Sequence, residues 1–359
     1  MIKFAKILIL SFLMLMLPQV NIKASENNQK TEELNVREFI LEHVSDSYEW
    51  HITSFNHRHI SIPLPIIIYS NLSGWHVFMS SAFHHEPVHE GFYIAKEGKY
   101  KNKIVEKNSS GTEIKPFDIS ITKNVFSLLI GSFLVIFLIM KVAKSYQKHG
   151  YKTQTGFISF MEMIIMNIND DVIKPCIGKG YKPYAPYLLT VFFFIFVNNL
   201  LGLIPIFPGG ANVTGNIAIT FVLSVVTFLI VNISGSKEYW REIFWPDVPM
   251  WLKIPIPLMP VIEFVGIITK PFALMLRLFA NMLAGHSLIL GLTCLIFISV
   301  KFGLAGNAGM TALSVVFSVF IDFVELLVAY IQAYIFTMLS AVFIGLAKIE
   351  PHHKPLSHK

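Results

Sequence analysis

The chain has 359 residues, of which 53% are hydrophobic and only 14% charged, with 31 phenylalanines. Soluble domains carry about 25% charged residues, so this composition excludes a water-soluble globular protein. The net charge of +6 would suit nucleic acid, but the lysines cluster at the ends of apolar runs. That is the positive-inside pattern of a membrane protein, so we expect a lipid bilayer and no nucleic acid as partner.

Residues 1–24 resemble a secretory signal peptide. Two lysines precede an apolar core near Ile7 to Leu17, and the small residue Ala24 ends the segment. A short membrane anchor is the alternative, but the core is shorter than the ~20 residues that cross hydrocarbon. We therefore expect this segment to be removed.

Residues 25–122 are polar and predict a small mixed domain outside the cytoplasm. Its charged start is expected to be helical, and HISIPLPIIIY and WHVFM alternate like strands. It holds eight of the 13 histidines, including His57, His59, His84, His85 and His89. A metal site is conceivable, but neither Cys partners nor an HExxH helix accompanies them. Cys176 and Cys294 are far apart in sequence, so we expect no metal and no disulfide.

Four apolar blocks then match membrane crossings in length: 124–145, 183–205, 214–235 and 257–348. The last block is long enough for two helices, which we expect to separate near KFGLAGNAG. The fold class is therefore an all-α integral membrane protein of about five membrane helices, ending in a long hairpin of two tilted helices. The transmembrane domain would span 123–350, with a cytoplasmic tail at 351–359.

Basic residues assign the loops to the two sides of the membrane. Those expected in the cytoplasm lie after the first crossing, at 235–253 and in the tail: Lys144, Lys148, Lys152, Lys237, Arg241, Lys253, Lys348, Lys354 and Lys359. Five crossings satisfy these placements with the amino terminus outside. The segment GFISFMEMIIMNINDDVIKP predicts an interfacial helix between the first two crossings.

Arg277 lies in the apolar run ITKPFALMLRLFANMLAGHSLILGL, far from either end. A charge at such a position costs about 2.5 to 3.5 kcal/mol on translocon scales, so it is a functional candidate by default. A structural ion pair is the alternative. Residues at helical spacing from it are small or carry an amide: Ala280, Asn281 and Ala284. Such a face permits close approach by another helix.

The final helix has its own polar face, formed by Asp322, Glu325 and Gln332 with the small Ala329 between them. If the two long helices fold back near Leu304, with Gly303, Gly306 and Gly309 in the turn, polar residues meet across the hairpin. Arg277 then faces Gln332, and His286 faces the turn between Asp322 and Glu325.

The hairpin thus predicts two polar stations about 9 residues apart, roughly 13 to 14 Å along the helix. Guanidinium is never deprotonated, whereas imidazole titrates near neutral pH. Arg277 is therefore predicted to be a fixed charge, and His286 with Glu325 a site that exchanges protons. A packing role for His286 is the alternative.

The motif PFALMLRLFANMLAGH is similar to the signature of subunit a of the F-type ATP synthase. The segments IQAYIFTMLS, with Gln332, and FVNNLLGLIP, with Asn199, also resemble family motifs. The resemblance implies that Arg277 faces the carboxylate of a rotating c-ring between two half-channels. It also implies peripheral-stalk b subunits, a bacterial inner membrane, a translocated proton and no cofactor. Glu263 matches a polar position toward the cytoplasmic exit.

Two departures from the family pattern stand out. Many members carry an acid where His286 stands and some a histidine where Glu325 stands, so the pair is exchanged here. Gly202 replaces an acid of some members and is expected to contribute nothing to the inlet path.

Rival interpretations are a self-contained proton-coupled transporter and an intramembrane hydrolase. The first predicts inverted repeats and the second a nucleophile or metal spacing; the sequence has neither pattern. The chain also lacks a GxxxxGK[ST] loop, so we expect no catalysis by this subunit alone. Whether the ion is a proton or sodium depends on the c-ring.

Overall fold

The computed structural model describes residues 36–55, 58–108, 111–150, 155–204, 209–245 and 258–348. The segment from Val36 onward forms one compact unit. The predicted signal peptide and the carboxyl-terminal tail lie outside the described residues.

The predicted exported segment is a mixed domain of short elements. Two helices, α1 and α2, span Val36–Val44 and Ala82–His85. Strands β1 to β8 span Glu49–Phe55, Arg58–Pro63, Pro65–Ser70, Gly74–Met79, Phe92–Ile94, Ile104–Lys107, Glu113–Ile114 and Phe117–Asp118. They form one two-stranded and two three-stranded antiparallel sheets. The strands expected from HISIPLPIIIY and WHVFM are confirmed as β2, β3 and β4.

A small core holds this domain together. Along β3 the side chains alternate, so Ile66 and Ile68 are fully buried whereas Tyr69 is exposed. They pack with Tyr48, Phe92 and Ile104. The Tyr48 hydroxyl donates to Asp118 at 2.5 Å, and burial together with this bond raises the pKa of Tyr48.

The remainder is helical. Helices α3 to α10 span Lys123–His149, Phe157–Asn167, Lys174–Ile177, Ala185–Leu203, Ile217–Ile233, Lys237–Phe244, Leu258–Ile298 and Gly303–Ala347. Among the described residues, three helical segments are long and apolar enough to cross a membrane, or four when the bent pair α7 and α8 counts as one span. The apolar blocks of the sequence agree with α3, α6, α7, α9 and α10 within a few residues.

The longest apolar segment, Met259–Ala347, reverses direction within a short turn. A 3-10 helix spans Ser299–Phe302, and Gly303 follows with φ +80°, a value that favours glycine. The turn therefore comes slightly before the predicted Leu304. Gly306 and Gly309 were expected in the turn, but both continue α10, because only Gly303 has to adopt the left-handed conformation.

Two contacts fix the register of this hairpin. The Lys270 ammonium lies 5.8 Å from the ring centre of Phe343, and the Ser299 hydroxyl donates to Asn307 at 2.7 Å. At 41 and 45 residues, the arms are about 60 Å or more long at 1.5 Å per residue. That is about twice the thickness of the hydrocarbon, as expected for strongly tilted helices.

Helix α6 lies at the centre of the bundle. Leu188, Phe192 and Ile195 are fully buried, and α10 presents Ala329 and Ala333 without exposed surface. In membranes the hydrophobic effect does not drive helices together, so association depends on close packing. Small residues permit such packing. Asn198 of α6 occupies the space that a side chain at Gly131 of α3 would fill.

The two ends of the bundle gather different loops. At one end, Ser236 N–H donates to the Ala347 carbonyl at 2.8 Å, and Lys348 lies 4.7 Å from the ring centre of Tyr184. At the other end, Trp50 of the amino-terminal domain packs with Ala211 and Val213. Loops that the lysines assign to the cytoplasm therefore share one end.

The predicted interfacial segment is helical. Met161 and Ile164 are buried on one face of α4, whereas Met163 and Met166 are exposed. A π-helix, Ile168–Ile173, follows. The helix is thus amphipathic, and its position at the membrane surface stays a prediction.

Candidate ion-translocation site

Arg277 lies near the middle of α9, and its side chain is exposed at the surface of the single chain. Ala280, Asn281 and Ala284 are exposed on the same side. We call these four residues the arginine face. Within the part of the chain that the structure describes, the Arg277 side chain makes no hydrogen bond or ion pair. A mid-helix cation on an open, small-residue face fits a partner outside this chain.

Gln332 is 6% exposed, and no hydrogen bond joins it to Arg277. The two contacts that join the arms of the hairpin lie on either side of Arg277 and Gln332. The two residues therefore lie at a similar height along the hairpin. Their side chains differ in environment, because α10 turns Gln332 into the bundle. Arg277 and Gln332 therefore lie at the same height, as predicted, but their side chains do not pair directly.

His286 is half-buried on α9 and reaches across to α6. Its Nε2 lies 3.1 Å from the Gly202 carbonyl oxygen. Nδ1 is buried and completes no hydrogen bond with the described residues. A side chain at Gly202 would begin 3.5 Å from the imidazole. The Gly202 carbonyl thus contacts the imidazole, while the expectation that Gly202 contributes nothing to the inlet path stays a prediction.

Glu325 is the most deeply buried acid of the two long helices, at 5% exposure. Both carboxylate oxygens are buried and have no hydrogen-bond partner among the described residues. The carboxylate lies directly against Gly285 of α9, so a Cβ at that position would collide with it. A lone carboxylate ion is expensive in such surroundings, so any charge here has to be transient.

His286 and Glu325 are neighbours without a direct hydrogen bond. Gly285, which touches Glu325, precedes His286 in the chain, and the imidazole turns toward α6 instead. Asp322, one turn from Glu325, is exposed yet close enough to act on it electrostatically. The hairpin thus brings the three residues together, as the predicted register required. We call His286, Asp322 and Glu325 the titratable station.

Asn199 connects three parts of the bundle beside this station. Its Oδ1 accepts a 2.6 Å bond from the Thr214 hydroxyl, and its Nδ2 donates to the Ala329 carbonyl at 3.4 Å. Asn212 donates in turn to the Met282 carbonyl, one turn before His286, at 3.1 Å. The loop 209–216 is therefore fixed against α9 and α6.

Three further residues of this region, Thr214, Asn212 and Gly285, were not predicted from the sequence. The first two belong to the short polar run NVTG beside an apolar block, which could have indicated a loop bonded to the bundle. Gly285 had no such signal, because its role depends on the register of the hairpin.

Glu263 is half-buried on α9, toward the end of the bundle that holds the loops predicted to be cytoplasmic. It lies close enough to Tyr239 of α8 to act on it electrostatically. Tyr239 lines a pocket with Lys270 and Asn232. The Asn232 Oδ1 is buried and accepts no hydrogen bond from the described residues. The pocket and Glu263 thus form a polar region that is separate from the titratable station. No group of metal-ligating side chains occurs among the described residues.

Residues 125–345 match the family described as ATP synthase A chain, and residues 39–123 match a domain of unknown function, DUF8433. ATP synthase subunit a of Chlorobium phaeobacteroides (strain DSM 266) is 44% identical over 243 residues, covering 66% of this chain and 68% of the relative. The subunit a of Chloroherpeton thalassium is 40% identical over 254 residues, covering 68% and 72%. That of Myxococcus xanthus is 38% identical over 242 residues, covering 66% and 75%.

The family match covers α3 to α10, which carry the arginine face and the titratable station. The chain therefore belongs to the family of ATP synthase subunit a.

Proposed function

We propose that this chain is the proton-translocating stator subunit of the Fo sector and that Arg277 faces the c-ring. The observation that carries the proposal is the open arginine face: a permanent cation at mid-helix, surrounded by small residues, with no partner among the described residues. A rotating carboxylate would supply both the missing charge and the close contact.

In this mechanism a proton from outside reaches the titratable station. His286 takes it up, and Glu325 with Asp322 hands it toward the ring. The Glu325 carboxylate and His286 Nδ1, for which the described part of the chain supplies no hydrogen-bond partner, suit transient protonation. The proton then neutralises a c-ring carboxylate, which can enter lipid because it no longer carries a charge.

After rotation of the ring, the neutral c-ring carboxylate approaches Arg277 from the side opposite to the one it left. The guanidinium favours the ionised carboxylate, so the proton leaves toward the cytoplasm, past Glu263 and its neighbouring pocket. The fixed positive charge also repels a hydrated cation and so separates the two half-channels. Each charge crossing contributes about 2.3 kcal/mol per 100 mV, so several crossings must combine for one ATP.

The remaining assignments follow from this role. The chain crosses the bacterial inner membrane five times, with residues 25–122 outside and the carboxyl terminus in the cytoplasm. It works with the c-ring and with peripheral-stalk b subunits. It binds no cofactor, and nucleotide catalysis belongs to partner subunits.

The test is proton pumping by the whole complex in vesicles. Arg277→Ala is expected to abolish ATP-driven pumping, whereas Leu276→Ala, at a neighbouring exposed position, keeps it. Coupled pumping at the parental rate in Arg277→Ala would remove Arg277 from the mechanism.

A further inference from the structure

The amino-terminal domain is attached to the start of the first membrane helix by several bonds. The backbone N–H of Asn124 donates to the Asp46 carboxylate at 3.1 Å, and that of Lys123 to the Ser47 carbonyl at 2.9 Å. Asp46 thus satisfies a free N–H of the α3 amino terminus, where a negative charge is favourable. Such bonds hold the domain against the bundle rather than on a flexible tether.

Helix α1 of this domain lies beside α9. Val36, Ile40 and Val44 recur at helical spacing and are half-buried, whereas Leu41 is exposed. The Lys123 ammonium reaches the His43 carbonyl at 3.5 Å. Lys123 and His43 both lie close enough to His286 to act on it electrostatically.

The domain also encloses His286 from a second direction. Trp50 packs with Ala211 and Val213 in the loop 209–216. Asn212 of that loop donates a hydrogen bond to the Met282 carbonyl. The Ala211 carbonyl lies close to the position that a Cβ at Gly202 would take. Residues 36–50 and the loop 209–216 therefore form a collar around the outer side of the histidine.

We infer that this collar is the outer mouth of the inlet half-channel, so that protons reach His286 past α1 and Lys123. The inference rests on the proposed function and gives the amino-terminal domain a role in it. Protons, unlike other cations, can pass from bound water to the imidazole of His286, because that group gains and loses protons near neutral pH.

The test uses a thiol reagent that cannot cross membranes. In a background with Cys176→Ser and Cys294→Ala, His43→Cys is compared with Lys96→Cys, an exposed position of the 95–103 loop. Whole cells are treated with a bulky reagent, and labelling is measured by mass. Inverted vesicles with the complete ATP synthase are then assayed for ATP-driven pumping, with and without treatment.

Labelling at position 43 is expected to slow pumping roughly tenfold or more, whereas labelling at position 96 leaves it unchanged. Each protein is its own unlabelled control, so misfolding cannot imitate the result. Equal pumping before and after complete labelling at 43 overturns the collar. Absence of labelling in whole cells also overturns it, because the domain would not face the outside.

A parallel His286→Ala variant separates this inference from the proposed function. If His286→Ala slows pumping while labelling at 43 has no effect, only the collar is wrong. If His286→Ala pumps at the parental rate, the proposed proton path itself is wrong.

Discussion

The arginine face and the titratable station lie on the same hairpin but in opposite environments. Arg277 is exposed at the outside of the chain. Glu325 is buried between helices and has no hydrogen-bond partner among the residues that the structure describes. A permanent cation cannot release its proton, so it requires a partner from outside. A carboxylic acid can be neutralised, so burial without a partner suits a site that gains and loses protons. The difference supports the proposal that Arg277 is a stationary charge and that Glu325 carries a movable proton.

The largest expected effect comes from removing the stationary charge. Beyond losing coupled pumping, Arg277→Ala should raise passive proton leakage through the Fo sector, because nothing then separates the half-channels. The measurement is proton flux in vesicles stripped of the catalytic sector, under an imposed potential. Leakage at the parental level would mean that Arg277 does not separate the channels.

Removing the movable charge should slow transport without uncoupling it. Glu325→Gln keeps the size of the side chain but cannot release a proton, so we expect pumping to fall roughly tenfold or more. ATP hydrolysis and pumping should fall together, unlike in Arg277→Ala. Unchanged flux would exclude Glu325 from the path.

The exchange of both residues, His286→Glu with Glu325→His, sharpens the comparison. Both titratable groups remain in the station, so more flux should survive than in either single alanine variant. A loss as deep as in the single variants would show that the Gly202 contact of the imidazole, rather than its titration, is what matters.

A smaller effect is expected from the glycine that accommodates Glu325. Gly285→Ala places a methyl group where the carboxylate lies, so the acid must move, and we expect a several-fold loss of flux at near-normal assembly. Gly291→Ala is the matched control on the same helix, because its added Cβ would meet nothing within 4 Å. Equal flux in the two variants would contradict the described position of Glu325.

The smallest effect is expected for Thr214→Val, which removes the bond to Asn199. The loss corresponds to about 1 kcal/mol for a buried neutral hydrogen bond. Assembly at elevated temperature should suffer slightly, while pumping per assembled complex stays near the parental rate. A large loss of pumping would place Thr214 in the proton path itself.

Much of this arrangement could be predicted from sequence. Apolar length gave the membrane helices, and helical spacing gave both polar faces. The register of the hairpin was nearly correct because two long helices joined by a short turn leave little freedom. The orientation of individual side chains could not be predicted: Gln332 turns inward and His286 turns to Gly202, since both depend on packing against α6.

The most direct test of the central claim is cross-linking between the arginine face and the ring. A cysteine at Ala280, about one turn from Arg277, is paired with a cysteine one turn from the c-subunit carboxylate, in a chain without Cys176 and Cys294. We expect rapid disulfide formation at position 280 and little at Phe272, which is exposed on another side of the same helix. Cross-linking at Phe272 with none at Ala280 would contradict it.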